Sequence, residues 1–153
     1  MRLVLICVGK IKPPFADDSA HYQRLLTRHA RLEVVELAEA GADPARAREA
    51  LAKEGEAILK RIPAGAHVCV LDRAGDELTS EQLAAFVEER RMARADLCFV
   101  VGGPLGLDPG VMERARDRLA LGRITLPHQL ARVVLLEQLF RAHKILAGEP
   151  YHY

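Results

Sequence analysis

No apolar run in the sequence approaches the roughly 20 residues that a membrane-spanning helix requires. The apolar start, Leu3–Val8, stops at Gly9-Lys10 and reads as a short strand, too brief for a secretory leader. Excess charge is also missing: 22 Lys and Arg face 21 Asp and Glu, for a formal net charge of +1. That balance excludes a protein that grips naked nucleic acid by bulk charge, so an RNA partner would need a local basic patch or a larger preformed target. No C-x-x-C pair occurs among the three cysteines. Cys7, Cys69 and Cys98 each sit inside an apolar run, which predicts buried, reduced thiols and no zinc or disulfide framework. The histidines show no metal-ligand spacing with acidic or Cys partners, so no metal site is expected. These absences point to a soluble, cytoplasmic protein.

What is present is enough to fold. Half of the 153 residues are apolar, which at this length supports one core and a single domain spanning 1–153. Neither a repeat nor a low-complexity linker divides the chain. Strands are expected at Leu3–Val8, Leu32–Leu37, Ala66–Leu71 and Leu97–Val101, with a weaker one at Arg118–Leu121. Between them lie helical patterns over Asp18 to Ala30, from Asp43-Pro44 to Arg61, from Thr79-x-x-Gln82 to Met92, and around Pro109–Ala115. A long helix spans Leu130 to Ala147, stopped by Gly148 and Pro150. Strands separated by helices of this length imply parallel crossovers and an α/β sheet.

The last helix is apolar over more than one narrow stripe, through Leu130, Val133, Val134, Leu135, Leu136, Leu139, Phe140, Ile145 and Leu146. Such a helix is buried on two sides, and a second copy of the chain is the expected cover for one of them. Three other segments could carry chemistry. Gly102-Gly103-Pro104-Leu105-Gly106 follows a strand directly, where a ligand can approach the backbone closely, although a plain strand-to-helix turn would read the same way. It lacks the Gly-Lys-Ser/Thr ending of a phosphate-binding P-loop. Leu121-Gly122-Arg123-Ile124-Thr125-Leu126-Pro127-His128 could offer backbone groups to a flat heterocycle, or could simply connect two elements. On the long helix, Glu137 and Arg141 are spaced for an intrahelical ion pair, and a guanidinium on so apolar a helix needs an acceptor.

In this order, Gly102–Gly106, Thr125-Leu126-Pro127-His128-Gln129-Leu130 with Arg132, Glu137-Gln138-Leu139-Phe140-Arg141-Ala142 and Pro150-Tyr151-His152 resemble the ribosomal RNA large subunit methyltransferase H family. Val8-Gly9-Lys10, Lys53-Glu54-Gly55-Glu56 and Leu71-Asp72-x-x-Gly75 add to the likeness, which covers the whole chain. The resemblance implies a SPOUT fold, a parallel sheet flanked by helices whose C-terminal part is tied in a deep trefoil knot, a topology otherwise very rare. It further implies a homodimer, S-adenosyl-L-methionine as methyl donor, and methylation of N3 of a pseudouridine in the 23S rRNA of the assembled ribosome. Carried over by position, the donor would be held by Leu71, Gly102 and the loop Leu121, Gly122, Arg123, Ile124, Thr125 and Leu126. His128, Arg132, Arg141 and His152 would face the substrate, with His128, Arg141 and His152 the catalytic candidates. Two departures stand out. Ala120-Leu121-Gly122 replaces a frequent Ser-Leu-Ser, and Tyr153 stands where members usually have Lys or Arg. They motivate an alternative reading, a non-catalytic SAM-binding factor of the same fold that associates with the ribosome.

Overall fold

A computed structural model describes residues 1–41 and 43–151. The strands are β1 (Arg2–Val8), β2 (Arg31–Leu37), β3 (His67–Glu77), β4 (Leu97–Val101) and β5 (Asp117–Ala120). Between and after them run α1 (Phe15–Leu26), α2 (Ala47–Arg61), α3 (Ser80–Met92), α4 (Pro109–Arg114) and α5 (His128–Leu146). The five strands form one parallel sheet in the order β2-β1-β4-β3-β5.

Alternation along the strands sorts the core into two layers. Leu3, Leu5, Cys7, Leu97, Phe99 and Val101 face α1, α3 and α5, meeting Leu26, Leu83, Val87, Leu135, Leu136 and Leu139. Val4, Ile6, Val8, Val68, Val70, Cys98 and Val100 face the other way, against Ile58 of α2 and Val111 of α4. Both faces of the sheet are covered, which is why its strands read as continuous apolar runs. The cysteines are free and buried, and burial pushes each thiol up to about 12.

Local chemistry sets the element ends. Thr79 Oγ1 accepts from the Gln82 amide while Gln82 returns the bond to the Thr79 amide, the reciprocal cap expected from their spacing. Asp43 accepts from the Ala45 amide, but the cap opens a single 3-10 turn, Pro44–Arg46, ahead of α2. The first helix begins at Phe15, earlier than the expected Asp18, so that Asp17 and Asp18 fall in its first turn, where carboxylates suit the helix dipole. The third strand continues to Glu77, past the expected end at Leu71. A register shift between Leu71 and Asp76 lets Asp76 and Glu77 rejoin β5 opposite Leu119 and Ala120. Gly75 makes this possible: a Cβ there would lie 2.6 Å from the Arg118 carbonyl carbon.

Helix α5 packs between α1 and α3. Within one chain it buries Val133, Leu135, Leu136, Leu139, Phe140 and Ala142. Intramolecular packing therefore accounts for most of its apolar circumference. His143 is buried beside them, its Nδ1–H donating to the Leu139 carbonyl at 2.8 Å. Burial lowers its pKa below the usual imidazole value, with the carbonyl bond opposing and His29 and Arg91 adding to the fall. The folded state thus holds His143 neutral, while the unfolded chain takes up a proton near pH 6.5. This contribution to stability is complete above that pH and is lost as pH falls from there towards the folded-state pKa. Urea midpoints taken at pH 7.5 and 5.5 should fall further in the wild type than in His143→Gln. Parallel falls would show that His143 does not contribute.

Candidate functional site

Beyond the carboxyl ends of β3, β4 and β5 lies a cavity of about 660 Å³, the place where open parallel sheets bind ligands. Three segments wall it: Leu71–Arg73 at the turn in β3, Val101–Leu107 after β4, and Leu121 to His128 between β5 and α5. Met112 and Ala131 close the back. The volume is that of a site for a nucleoside-sized molecule, and the walls are mainly aliphatic.

The glycine segment is a closed loop. Gly103 and Gly106 pair as an antiparallel bridge, with the Gly106 amide donating to the Gly103 carbonyl at 3.0 Å. Inside this turn a Cβ on Gly102 would lie 2.6 Å from the Gly106 carbonyl oxygen, so only glycine allows the chain to fold back so tightly. Asp108 then caps α4 through the Gly110 amide at 2.9 Å and seats against Gly55 of α2, anchoring the far end of the loop. The third wall is different. Among the described residues, Gly122 to Thr125 make no backbone hydrogen bond, which leaves their N–H and C=O groups available to a ligand. Arg73 steadies this wall from across the cavity by donating to Thr125 Oγ1 at 3.4 Å, while Asp72 lies 3.7 Å from Arg118.

Of the positions expected from sequence to hold the donor, Leu71, Gly102, Leu121, Gly122, Ile124, Thr125 and Leu126 line this one cavity. Arg123 is exposed and is not among the lining residues. His128, at the first position of α5, also lines it. Its Nε2 is buried without a hydrogen-bond partner, 3.8 Å from Glu39 Oε1. A buried polar atom left unpaired is costly, so this is a point where a ligand group or water would be stabilising. Glu39 was not legible as a neighbour of His128, because nothing in its local pattern marks it. The loop carrying it is held by buried Glu54 of α2, which accepts from the Ala40 amide at 2.9 Å.

Arg141 lies elsewhere. Its Nε and one terminal nitrogen donate to Glu137 Oε1 at 3.0 and 2.7 Å, and its guanidinium stacks over the Tyr151 ring with 4.8 Å to the centroid. Tyr151 in turn packs against Phe140 and donates to Glu137 Oε1 at 3.2 Å. His152 and Tyr153 lie outside the described residues. Arg132 corrects the sequence reading. Rather than facing a substrate it is 1 % exposed, one nitrogen bonding Glu36 Oε2 at 2.5 Å and the other the Gly9 carbonyl at 2.7 Å. The acceptor that its place on an apolar helix demanded is internal to the fold.

The cavity suits a flat heterocyclic ligand: aliphatic side chains to cover its faces, unpaired backbone groups to meet its edge, and a glycine turn that leaves no side chain in the way. Among the described residues there is no group of three or more His, Cys, Asp or Glu that could hold a metal ion, and no helix is long and apolar enough to cross a membrane.

Comparison with known proteins agrees with this geometry. A family model described as "Predicted SPOUT methyltransferase" matches residues 1–152. The ribosomal RNA large subunit methyltransferase H of Rubrobacter xylanophilus is 47% identical, the alignment covering 99% of this chain and 98% of that protein. Its counterpart from Carboxydothermus hydrogenoformans is 43% identical over 99% of both chains. Among solved structures, a probable methyltransferase from Bordetella pertussis Tohama I shares the fold with a TM-score of 0.55 at 17% identity, covering 93% of this chain and 96% of that one.

Proposed function

Because the chain belongs to the SPOUT methyltransferase family and is similar over its whole length to ribosomal RNA large subunit methyltransferases H, we propose that it methylates N3 of a pseudouridine in 23S rRNA, using S-adenosyl-L-methionine, on the assembled ribosome. The observation that carries this reading is the gathering of the glycine turn and the unpaired Gly122–Thr125 backbone into one nucleoside-sized cavity with His128 at its edge. The resemblance also carries the knot, with the segments around the cavity as its loops.

The donor supplies an electrophilic methyl group on a sulfonium. Methyl transfer forms the N3–CH3 bond, breaks the S–CH3 bond and releases the N3 proton. The residues of the chain have two tasks. The first is to fix the donor against an incoming base, and near-attack positioning of this kind can remove roughly 7–11 kcal/mol of barrier. The second is to accept or stabilise the released proton, for which His128 is placed at the cavity edge and His152 is the other candidate. Arg141, held by Glu137 against Tyr151, would orient the nucleotide or its phosphate. It is not among the residues lining the cavity, and a homodimer, in which a second copy brings its own Arg141 to that cavity, reconciles the two.

Tritium transfer from labelled donor to ribosomes lacking the modification, with the labelled nucleotide mapped, tests the reading. Label on a large-subunit pseudouridine is expected. Donor binding without label would favour the non-catalytic ribosome-associated factor, for which Ala120, Gly122 and Tyr153 are the motivating departures. If the site is shared between copies, mixing inactive His128→Ala and Arg141→Ala proteins should restore about a quarter of wild-type activity, since half of the mixed dimers carry both variants and keep one intact site. Failure to complement would place both residues in one chain's site.

A further inference from the structure

The loop between β1 and α1 is held far more firmly than a surface turn needs to be. Buried Arg132 donates to the Gly9 carbonyl at 2.7 Å. Gln129, one residue after cavity-lining His128, donates to the Lys10 carbonyl at 3.1 Å and accepts from the Lys12 amide at 3.0 Å. Glu36 of β2 accepts from the Ile11 amide at 2.7 Å while bonding Arg132. Side chains from two distant elements thus fix three successive backbone units relative to the first turn of α5. A buried ion pair such as Arg132–Glu36 is weak evidence for stability, and its better-attested use is to define one geometry.

What that geometry presents is a pair of exposed ammonium groups. Lys60 and Lys144 are paired with Glu56 and Glu149; Lys10 and Lys12, like Lys53 on α2, have no ion-pair partner among the described residues, and of these three only Lys10 and Lys12 sit on the loop fixed to α5. Glu36, the carboxylate that bonds the loop, is already held by Arg132 as well as by the Ile11 amide. In a chain of net charge +1, attraction to a polyanion has to come from such local groups.

We infer that Lys10 and Lys12 are backbone-phosphate contacts for the RNA substrate, held at a fixed offset from the donor cavity so that phosphate binding sets the register of the target base. The inference rests on the methyltransferase reading above and adds to it a surface and a chemistry. Phosphate contacts of this kind position a nucleic acid without reading its sequence.

The test is the salt dependence of binding between the full-length protein and purified assembled ribosomes lacking the modification. Each lost phosphate contact lowers the slope of log K against log salt by about 0.7–0.9. Lys10→Gln/Lys12→Gln should therefore flatten the slope by roughly 1.5, with weaker binding at every salt concentration. An unchanged urea midpoint would show that the fold is intact. The control is Arg28→Gln/Arg31→Gln, the same charge change near the amino end of β2, which should leave the slope where it was. An unchanged slope in the lysine variant, with the wild type still methylating the ribosomes, overturns this inference and leaves the proposed function standing. An equal fall in the control overturns it as well, since the attraction would then be diffuse. A wild type that neither binds nor methylates the ribosomes removes the proposed function, and this inference with it.

Discussion

Glu36→Ala is expected to destabilise the protein by about 3–5 kcal/mol, while Arg132→Met costs no more than about 2 kcal/mol, although the two changes break the same ion pair. The asymmetry follows from where each partner sits. Arg132 is 1 % exposed and, among the described residues, has Glu36 and the Gly9 carbonyl as its acceptors, with its Nε unpaired. Removing Glu36 leaves a guanidinium buried among apolar neighbours with one carbonyl for company, and also takes the acceptor from the Ile11 amide. Removing Arg132 leaves Glu36 about a third exposed, still bonded to that amide and open to water. Methionine fills the space without a charge to desolvate. Urea unfolding of both variants, of Glu36→Gln and of the double variant checks the argument. In the double variant much of the Glu36→Ala loss should return, because the stranded charge is gone. Equal costs for the two single changes would mean that Arg132 is far better solvated than its burial indicates.

Arg132 also shows how far the sequence can be read. An arginine on an apolar helix needs an acceptor, and that much follows from composition and spacing. Which acceptor it meets depends on β1, β2 and α5 converging, a tertiary fact with no local signature; the substrate-facing role came from the family resemblance alone. Elements whose cause is local were legible. Leu97–Val101 is a strand because a run so apolar and β-branched can only be buried on both faces, and Thr79 and Gln82 announce their helix by reciprocal capping. Extension of β3 past Leu71 was not legible, since Asp72–Glu77 is polar and joins β5 only through an irregular register beside Gly75. The meeting of the Gly102–Gly106 and Leu121–His128 loops at one cavity was legible because loops after parallel strands converge at one end of the sheet. Asp72 entered only as part of the Leu71-Asp72-x-x-Gly75 likeness and Arg73 not at all, although both line the cavity. Glu39, loop-borne and far from His128 in sequence, needed the fold itself.

Gly102→Ala is expected to leave the unfolding midpoint nearly unchanged and to weaken S-adenosyl-L-methionine binding by roughly 5–150-fold. The added Cβ would lie 2.6 Å from the Gly106 carbonyl oxygen and 3.0 Å from its carbon, and both are backbone atoms that no rotamer change can withdraw. Two outcomes are open to the protein. If the turn kept its present shape, the overlap would act as strain of about 1–3 kcal/mol in the folded state, and stability would fall by that amount. This turn borders a cavity, however, and on that side it has room to open. The strain is relieved by moving Gly103–Gly106 away from Gly102, at the expense of the Gly103–Gly106 bridge and of the cavity's shape. Binding then requires the turn to close again, so the donor must supply the strain energy, and its affinity falls by the matching factor. Calorimetric titration of the donor beside urea unfolding separates the two outcomes. Weak binding with an unchanged midpoint identifies a turn that opens, whereas intact binding with a lowered midpoint identifies a rigid one. Intact binding and an unchanged midpoint together would mean that the backbone contact at Gly102 is not there.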